Sequence, residues 1–228
     1  MKLLSDISDF LFPRSCHLCQ RRLHDGAEYL CPSCLAELPR THYHRLPDNA
    51  MERRFMGQFP FRAATGHFFY SRGSGIASLV HDMKYHHFRR LAVFMGRTVA
   101  EELLTTGFLS DIDVIMPVPM HFLKKAKRGY NQAECIASGI SRVTGIPVST
   151  DLRAVRGHRS QTLLTLEERL RNTEGIFRLD NASAYSGKAV LLVDDVCTTG
   201  ATLASAAREV TSAAGITDLA ILTLGVTF

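Results

Sequence analysis

The stretch "VLLVDDVCTTGATL" at 190–203 sets two adjacent aspartates, Asp194 and Asp195, against a run of threonines around one glycine. Neighbouring carboxylates repel each other, and successive strand side chains point to opposite faces, so both can serve one ligand only where a strand ends. A ligand offering hydroxyls, or a bound Mg²⁺, satisfies carboxylate oxygens. Beside them, Thr198, Thr199 and Thr202 supply hydroxyls, while Gly200 permits a positive φ and close backbone approach. With the free N–H groups of a following helix, such a loop wraps a phosphate. Hydroxyl anchors next to an anion cradle describe a sugar phosphate. The alternative for the aspartates alone is an acidic turn capping a helix.

Four of six cysteines form a second constellation, Cys16-x2-Cys19 and Cys31-x2-Cys34, separated by eleven residues, with Cys135 and Cys197 apart from them. Two such knuckles bring four thiolates to tetrahedral Zn²⁺, and a segment this short has too little core to fold without a staple. Four protein ligands leave no open position for substrate, so the site is expected to be structural. Disulfides are the alternative, disfavoured by the lack of a secretion signal. His17 and His24 read as surface residues.

A third group is basic. Residues 121–171 hold ten Lys and Arg against four Asp and Glu, in a chain of net charge +5. Lys124, Lys125, Lys127 and Arg128 precede Gly129 and Asn131-Gln132, with Asn131 placed to cap a helix. Farther on, Arg153, Arg156, Arg159 and Gln161 lie in a stretch suited to a lid. A solvated basic loop and a surface for a polyanion, pyrophosphate or nucleic acid, are both compatible with this charge.

These groups need elements to hold them. Val190–Val193 reads as a strand buried on both faces, and Leu203, Ala207, Val210 and Ala214 fall at helical spacing before Gly215. "FRAATGHFFY" from 61 and "DVIMPVP" at 113–119 read as strands, as does "DLAILTLGV" near the end. Helices are expected around Ile76–Met83, Leu91–Leu104 and Ile136–Val143. Alternation of this kind implies an α/β domain with a parallel sheet flanked by helices. The ligand loop then lies at the carboxyl end of a strand. We divide the chain into an N-terminal helix and four-cysteine zinc-binding module at 1–40, a linker without clear period at 41–60, and the α/β domain at 61–228.

No run of 18 apolar residues exists, which excludes an integral membrane helix. Leu3, Leu4, Ile7, Phe10 and Leu11 make a short amphipathic helix stopped by Pro13, interrupted by Asp6 and Asp9, rather than a signal peptide. A cytoplasmic protein is expected. No G-x-G-x-x-G follows a strand, and "SGKA" at 186–189 lacks the Ser or Thr of a P-loop.

The stretch at 190–203 resembles the phosphoribosyl pyrophosphate (PRPP) motif of type I phosphoribosyltransferases. The resemblance implies that Asp194 and Asp195 hold ribose hydroxyls and that the loop from Cys197 to Thr202 takes the 5′-phosphate, with Mg²⁺ accompanying PRPP. Joined to the cysteine module, "HDMKY" at 81–85, "PVPMHFLKKAKRGYNQA" at 117–133 and "SQTLLTLEERLRN" at 160–172, it resembles the ComF family along nearly the whole chain. That family usually has Phe where Tyr130 stands, and Gly commonly follows "KY" where this chain has His86 and His87. The resemblance implies a type I phosphoribosyltransferase-like fold, PRPP or ribose 5-phosphate as ligand, and single-stranded DNA and competence-machinery proteins as partners, in natural transformation or DNA utilisation. Three classes of function remain open at this level: a phosphoribosyltransferase for an unidentified acceptor, a PRPP-binding regulator, and a nucleic-acid-handling protein.

Overall fold

A computed structural model describes residues 14–24, 26–85, 88–120, 126, 128–155 and 175–228. The N-terminal amphipathic segment, Lys124, Lys125, Lys127, Arg156, Arg159 and Gln161 lie outside the described residues. In chain order the strands are β1 (Ala63–Phe69), β2 (Val114–Pro117), β3 (Leu152–Ala154), β4 (Phe177–Leu179), β5 (Val190–Cys197) and β6 (Leu219–Val226). Among the described residues the helices are α1 (Pro32–Ala36), α2 (Ala50–Phe55), α3 (Gly75–Tyr85), α4 (Arg89–Leu103), α5 (Gln132–Thr144) and α6 (Ala201–Ala214). β1, β6, β5 and β2 lie side by side in that order, all parallel, and β3 pairs with β4 as an antiparallel hairpin.

The run at 190–193 forms a central strand because both of its faces are covered. Val190 and Leu192 pack with α6, through Leu203, Ala207 and Val210. Leu191 and Val193 face the other layer, built by α3, α4 and α5. Each such side chain contributes about 1.5–3 kcal/mol when withdrawn from water. α4 and α5 cross nearly in backbone contact. A Cβ built on Gly96 would lie 2.2 Å from Ile136 O, and one on Gly139 would lie 2.2 Å from Val93 O.

Connectivity places a crevice between β2 and β5. From β2 the chain leaves through α5 toward one edge, where Val148 bridges Ile115 in parallel. From β5 it leaves through α6 toward the other edge, to β6. Strand order thus reverses between β2 and β5, and ligands bind outside the carboxyl ends of strands at such a switch point.

The cysteine module is packed onto this domain. Cys16, Leu23, Leu30 and Leu38 are buried in the same core as Leu79 and Leu91. After the module the chain runs along the β1 edge, with Phe69 N donating to Pro39 O (2.8 Å) and Thr41 N to His67 O (3.0 Å). Arg40 donates to both oxygens of Glu102 on α4 at 2.6 and 2.8 Å, and His67 Nε2 lies 2.9 Å from the same carboxylate. Against the opposing effect of burial, these partners hold the Glu102 carboxyl down at about 2.

Residues 41–60, aperiodic as a sequence, are folded. Asn49 caps α2 by accepting from Met51 N and Glu52 N, and its amide donates to Tyr43 O, Leu46 O and Ala64 O. Met51 and Phe55 are fully buried. A helix of six residues with two apolar contacts is too short to show a period, which is why the sequence reads as a linker. Among the described residues, no helix is long and apolar enough to cross a membrane.

Candidate functional site

The short length of β2 creates the site. It pairs with β5 only from Val190 to Val193, whereas β6 stays in register with β5 as far as Cys197. The apolar run in the sequence predicts that this strand ends at Val193. What ends there is the pairing with β2, so from Asp194 onward one edge of β5 opens on the crevice. Asp195 N donates to Asp194 Oδ1 at 2.8 Å. Burial, and then the adjacent charge of Asp195, push the Asp194 carboxyl up to about 8. Asp195 instead has a counter-ion, Lys84 Nζ, at 2.8 Å from its Oδ2.

Beyond Cys197 the chain turns into the N-terminus of α6. Gly200 is the N-cap residue at φ +80°, and a Cβ there would meet Phe55 Cε1 at 2.9 Å. Only glycine satisfies both demands. Thr199 Oγ1 accepts from Ala201 N at 3.4 Å. Thr198, Thr199, Gly200 and Thr202 line a small niche together with Asp194. The N-terminus of a 14-residue helix, hydroxyls and a tight turn suit an anion.

The niche joins a larger cleft of about 370 Å³. Asp194, Asp195, Thr198 and Thr202 line one wall, and Arg128, Asn131 and Gln132 another. Asn131 caps α5 by accepting from Ala133 N at 3.1 Å and ties back to Val118 O at 3.0 Å. Gln132 Oε1 accepts from Arg128 at 3.3 Å. Tyr130 O–H and Gln132 Nε2 both donate to Met83 O, which fixes this loop to the segment carrying Lys84. Tyr70 and, from the hairpin side, Ala154, Ile176 and Phe177 supply apolar lining. Arg153 turns elsewhere, pairing with Asp180 at 2.6 Å.

Sequence reasoning missed Lys84. It lies 111 positions before Asp195, so no local spacing could have joined the two, and "HDMKY" entered only as part of the resemblance.

Away from the cleft, the Sγ atoms of Cys16, Cys19, Cys31 and Cys34 all lie within 4.8 Å of one another. Cys19 Sγ and Cys31 Sγ are 3.8 Å apart, and thiolates at about 2.3 Å from one tetrahedral zinc are separated by about 3.8 Å. Burial opposes ionisation of Cys16, yet backbone N–H groups of Cys19, Cys31 and Leu18 bring its thiol down to about 6. Hydrogen bonding to Cys31, followed by burial, pushes Cys34 up to about 12. A divalent cation removes that conflict. His17 is not part of the cluster and faces Asp82 at 3.5 Å.

A family model described as a phosphoribosyl transferase domain matches residues 90–216. The chain belongs to the phosphoribosyl transferase domain family. A second model, a double zinc ribbon domain, matches residues 7–45. With the convergence of the four cysteines it supports a structural zinc. The DNA utilization protein YhgH of Escherichia coli strain K12 is 29% identical over 200 residues, covering 85% of this chain and 82% of that protein. Competence protein F of Haemophilus influenzae is 34% identical over 93 residues, 40% of this chain and 41% of the relative. Competence protein ComFC of Bacillus subtilis is 38% identical over 95 residues, 42% of this chain and 37% of the relative. These matches agree with the ComF-type pairing of a four-cysteine zinc-binding module with a phosphoribosyltransferase-like domain that the resemblance implies.

Proposed function

We propose that the crevice binds PRPP with Mg²⁺. The reading rests on one observation: at the free edge of β5, the Asp194–Asp195 pair adjoins the Thr198–Thr202 niche, with Lys84 paired to Asp195 and Arg128 lining the same cleft. The 5′-phosphate enters the niche, at Thr198, Thr199, Gly200 and Thr202, and the ribose hydroxyls bond to Asp194 and Asp195. Lys84 and Arg128 face the pyrophosphate, with Asn131, Gln132, Lys124, Lys125, Lys127, Arg156 and Gln161 as further residues for that group or for DNA. Bound Mg²⁺ supplies charge neutralisation to the leaving pyrophosphate. Because Asp194 and Asp195 repel each other, the pair suits a cation-dependent ligand.

In a transfer, the C1–oxygen bond to pyrophosphate breaks as the bond from C1 to the acceptor forms, and the acceptor gives up its proton. Positioning and electrostatic stabilisation of the leaving group supply most of such catalysis. Calorimetric titration with PRPP, with and without Mg²⁺, tests the site. Binding that requires Mg²⁺ is expected, and no heat under either condition would refute the reading. Release of pyrophosphate on adding amines or nucleobases marks a transferase; binding without release marks a regulator.

We propose a second reading, that the same protein acts with single-stranded DNA in the cytoplasm, in natural transformation or DNA utilisation; its support is that the relatives are named as DNA utilization and competence proteins. Lys124, Lys125 and Lys127 are the residues to test. Replacing all three by alanine should weaken binding to single strands of any sequence and flatten its salt dependence by about 0.7 of a unit of log–log slope per lost contact. An unchanged slope would remove these lysines from any DNA path.

A further inference from the structure

The phosphate niche is supported from outside by α2, the short helix in the stretch without sequence period. Arg54 Nη1 donates to Thr198 O and Nη2 donates to Thr227 O, so one guanidinium ties the phosphate loop to the end of β6. The same Nη1 lies 3.9 Å from Cys197 Sγ. One residue on, the Phe55 ring lies against Gly200. Neither α2 residue lines the niche.

We propose that Arg54 is a positioning residue for the phosphate loop, a role that rests on the PRPP reading. In a trans peptide the C=O and the following N–H point in opposite directions. Holding Thr198 O toward α2 therefore turns Thr199 N–H away from it, toward the niche. The geometry needs two donors in a rigid fork, which arginine has and lysine lacks. Arg54 also brings a charge. Its bonds among the described residues go to neutral carbonyls and a sulfur, so its positive charge is not cancelled by a carboxylate and adds to the field that an incoming phosphate meets. Thr227 Oγ1 also donates to Thr198 O, at 3.3 Å, so the loop keeps one tie when Arg54 is replaced.

The test compares the full chain with Arg54→Met, which keeps the aliphatic stem, and with Arg54→Lys, which keeps the charge without the fork. Each is titrated with ribose 5-phosphate and, separately, with Mg²⁺-pyrophosphate, and the melting temperature is recorded. Arg54→Met should bind ribose 5-phosphate about tenfold or more weakly, and Arg54→Lys should recover part of that loss. Both should bind Mg²⁺-pyrophosphate as the parent does, because that ligand does not use the niche. Equal ribose 5-phosphate affinity in all three proteins would overturn the proposal. So would a parallel loss of both ligands with a lowered melting temperature, which marks a merely structural residue. Absence of ribose 5-phosphate binding by the parent chain would overturn the PRPP reading and this proposal together.

Discussion

Asp194→Asn and Asp195→Ala should both lose ribose 5-phosphate binding, by about ten- to a hundredfold, while moving stability in opposite directions. Asp194 is destabilised as an anion by its burial and by Asp195, which push its carboxyl from an ordinary 3.8 up to about 8. An acid whose folded value lies above its unfolded one keeps its proton longer in the folded state, so the fold loses stability as pH rises from about 4 to about 8. Asparagine does not titrate. The Asp194→Asn variant should match the parent near pH 4 and gain on it steadily up to about pH 8, by several degrees at a rate of about 2–4 °C per kcal/mol for a chain of this size.

Asp195→Ala does the reverse, because it leaves the half-buried Lys84 side chain without its partner at 2.8 Å. Its melting temperature should fall. It should also flatten the pH dependence, since removing the Asp195 charge lets Asp194 ionise more easily. Melting curves from pH 4 to 9, set beside calorimetry, read out both effects. If the two variants shift together at every pH, or if either binds ribose 5-phosphate like the parent, the assignment of this pair is wrong. A site residue whose removal stabilises the fold is the signature of a group kept for its ligand.

The contrast between these two aspartates shows what was legible in the sequence. The strand, turn and helix around "VLLVDDVCTTGATL" could be read because each is local: four apolar residues buried on both faces, a glycine at positive φ, and apolar spacing closed by Gly215. The parallel sheet followed from alternation. The partners that distinguish Asp194 from Asp195 could not be read, because Lys84 arrives from α3 on the far side of a crossover. The β3–β4 hairpin escaped notice for a related reason: its two short strands are separated by residues 155–176, so no turn signal joins them. α2 did leave one signal, since Asn49 followed three positions later by Glu52 is a capping-box pattern. With only Met51 and Phe55 to bury, it gave no period to accompany it. The zinc knuckles were legible because metal spacing is itself a sequence pattern, but their burial against α3 and α4 was not.

That burial sets the size of the last effect. Cys31→Ser should reduce zinc from one ion per chain to almost none and unravel the module around it. Leu23, Leu30 and Leu38 contribute about 1.5–3 kcal/mol each by leaving water, well short of ordering the module's backbone at about 1–2 kcal/mol per residue. Metal binding must make up the difference, and in such modules its free energy is folding energy. The damage should not stop at the module, because these side chains share one core with Leu79 and Leu91, and Leu18 packs on the start of α3 near Gly75. Metal analysis, limited proteolysis and melting curves should therefore move together: no zinc, new cleavage between 14 and 38, and a lower melting temperature for the whole chain. Cys135→Ser, far from the cluster in sequence and absent from it in space, should keep its zinc. Zinc retained by Cys31→Ser with an unchanged cleavage pattern would mean that the four thiols are not a metal site. Zinc lost without a change in melting temperature would instead mean that the module is held by the sheet edge at residues 39–41 and by the Arg40–Glu102 pair rather than by the metal.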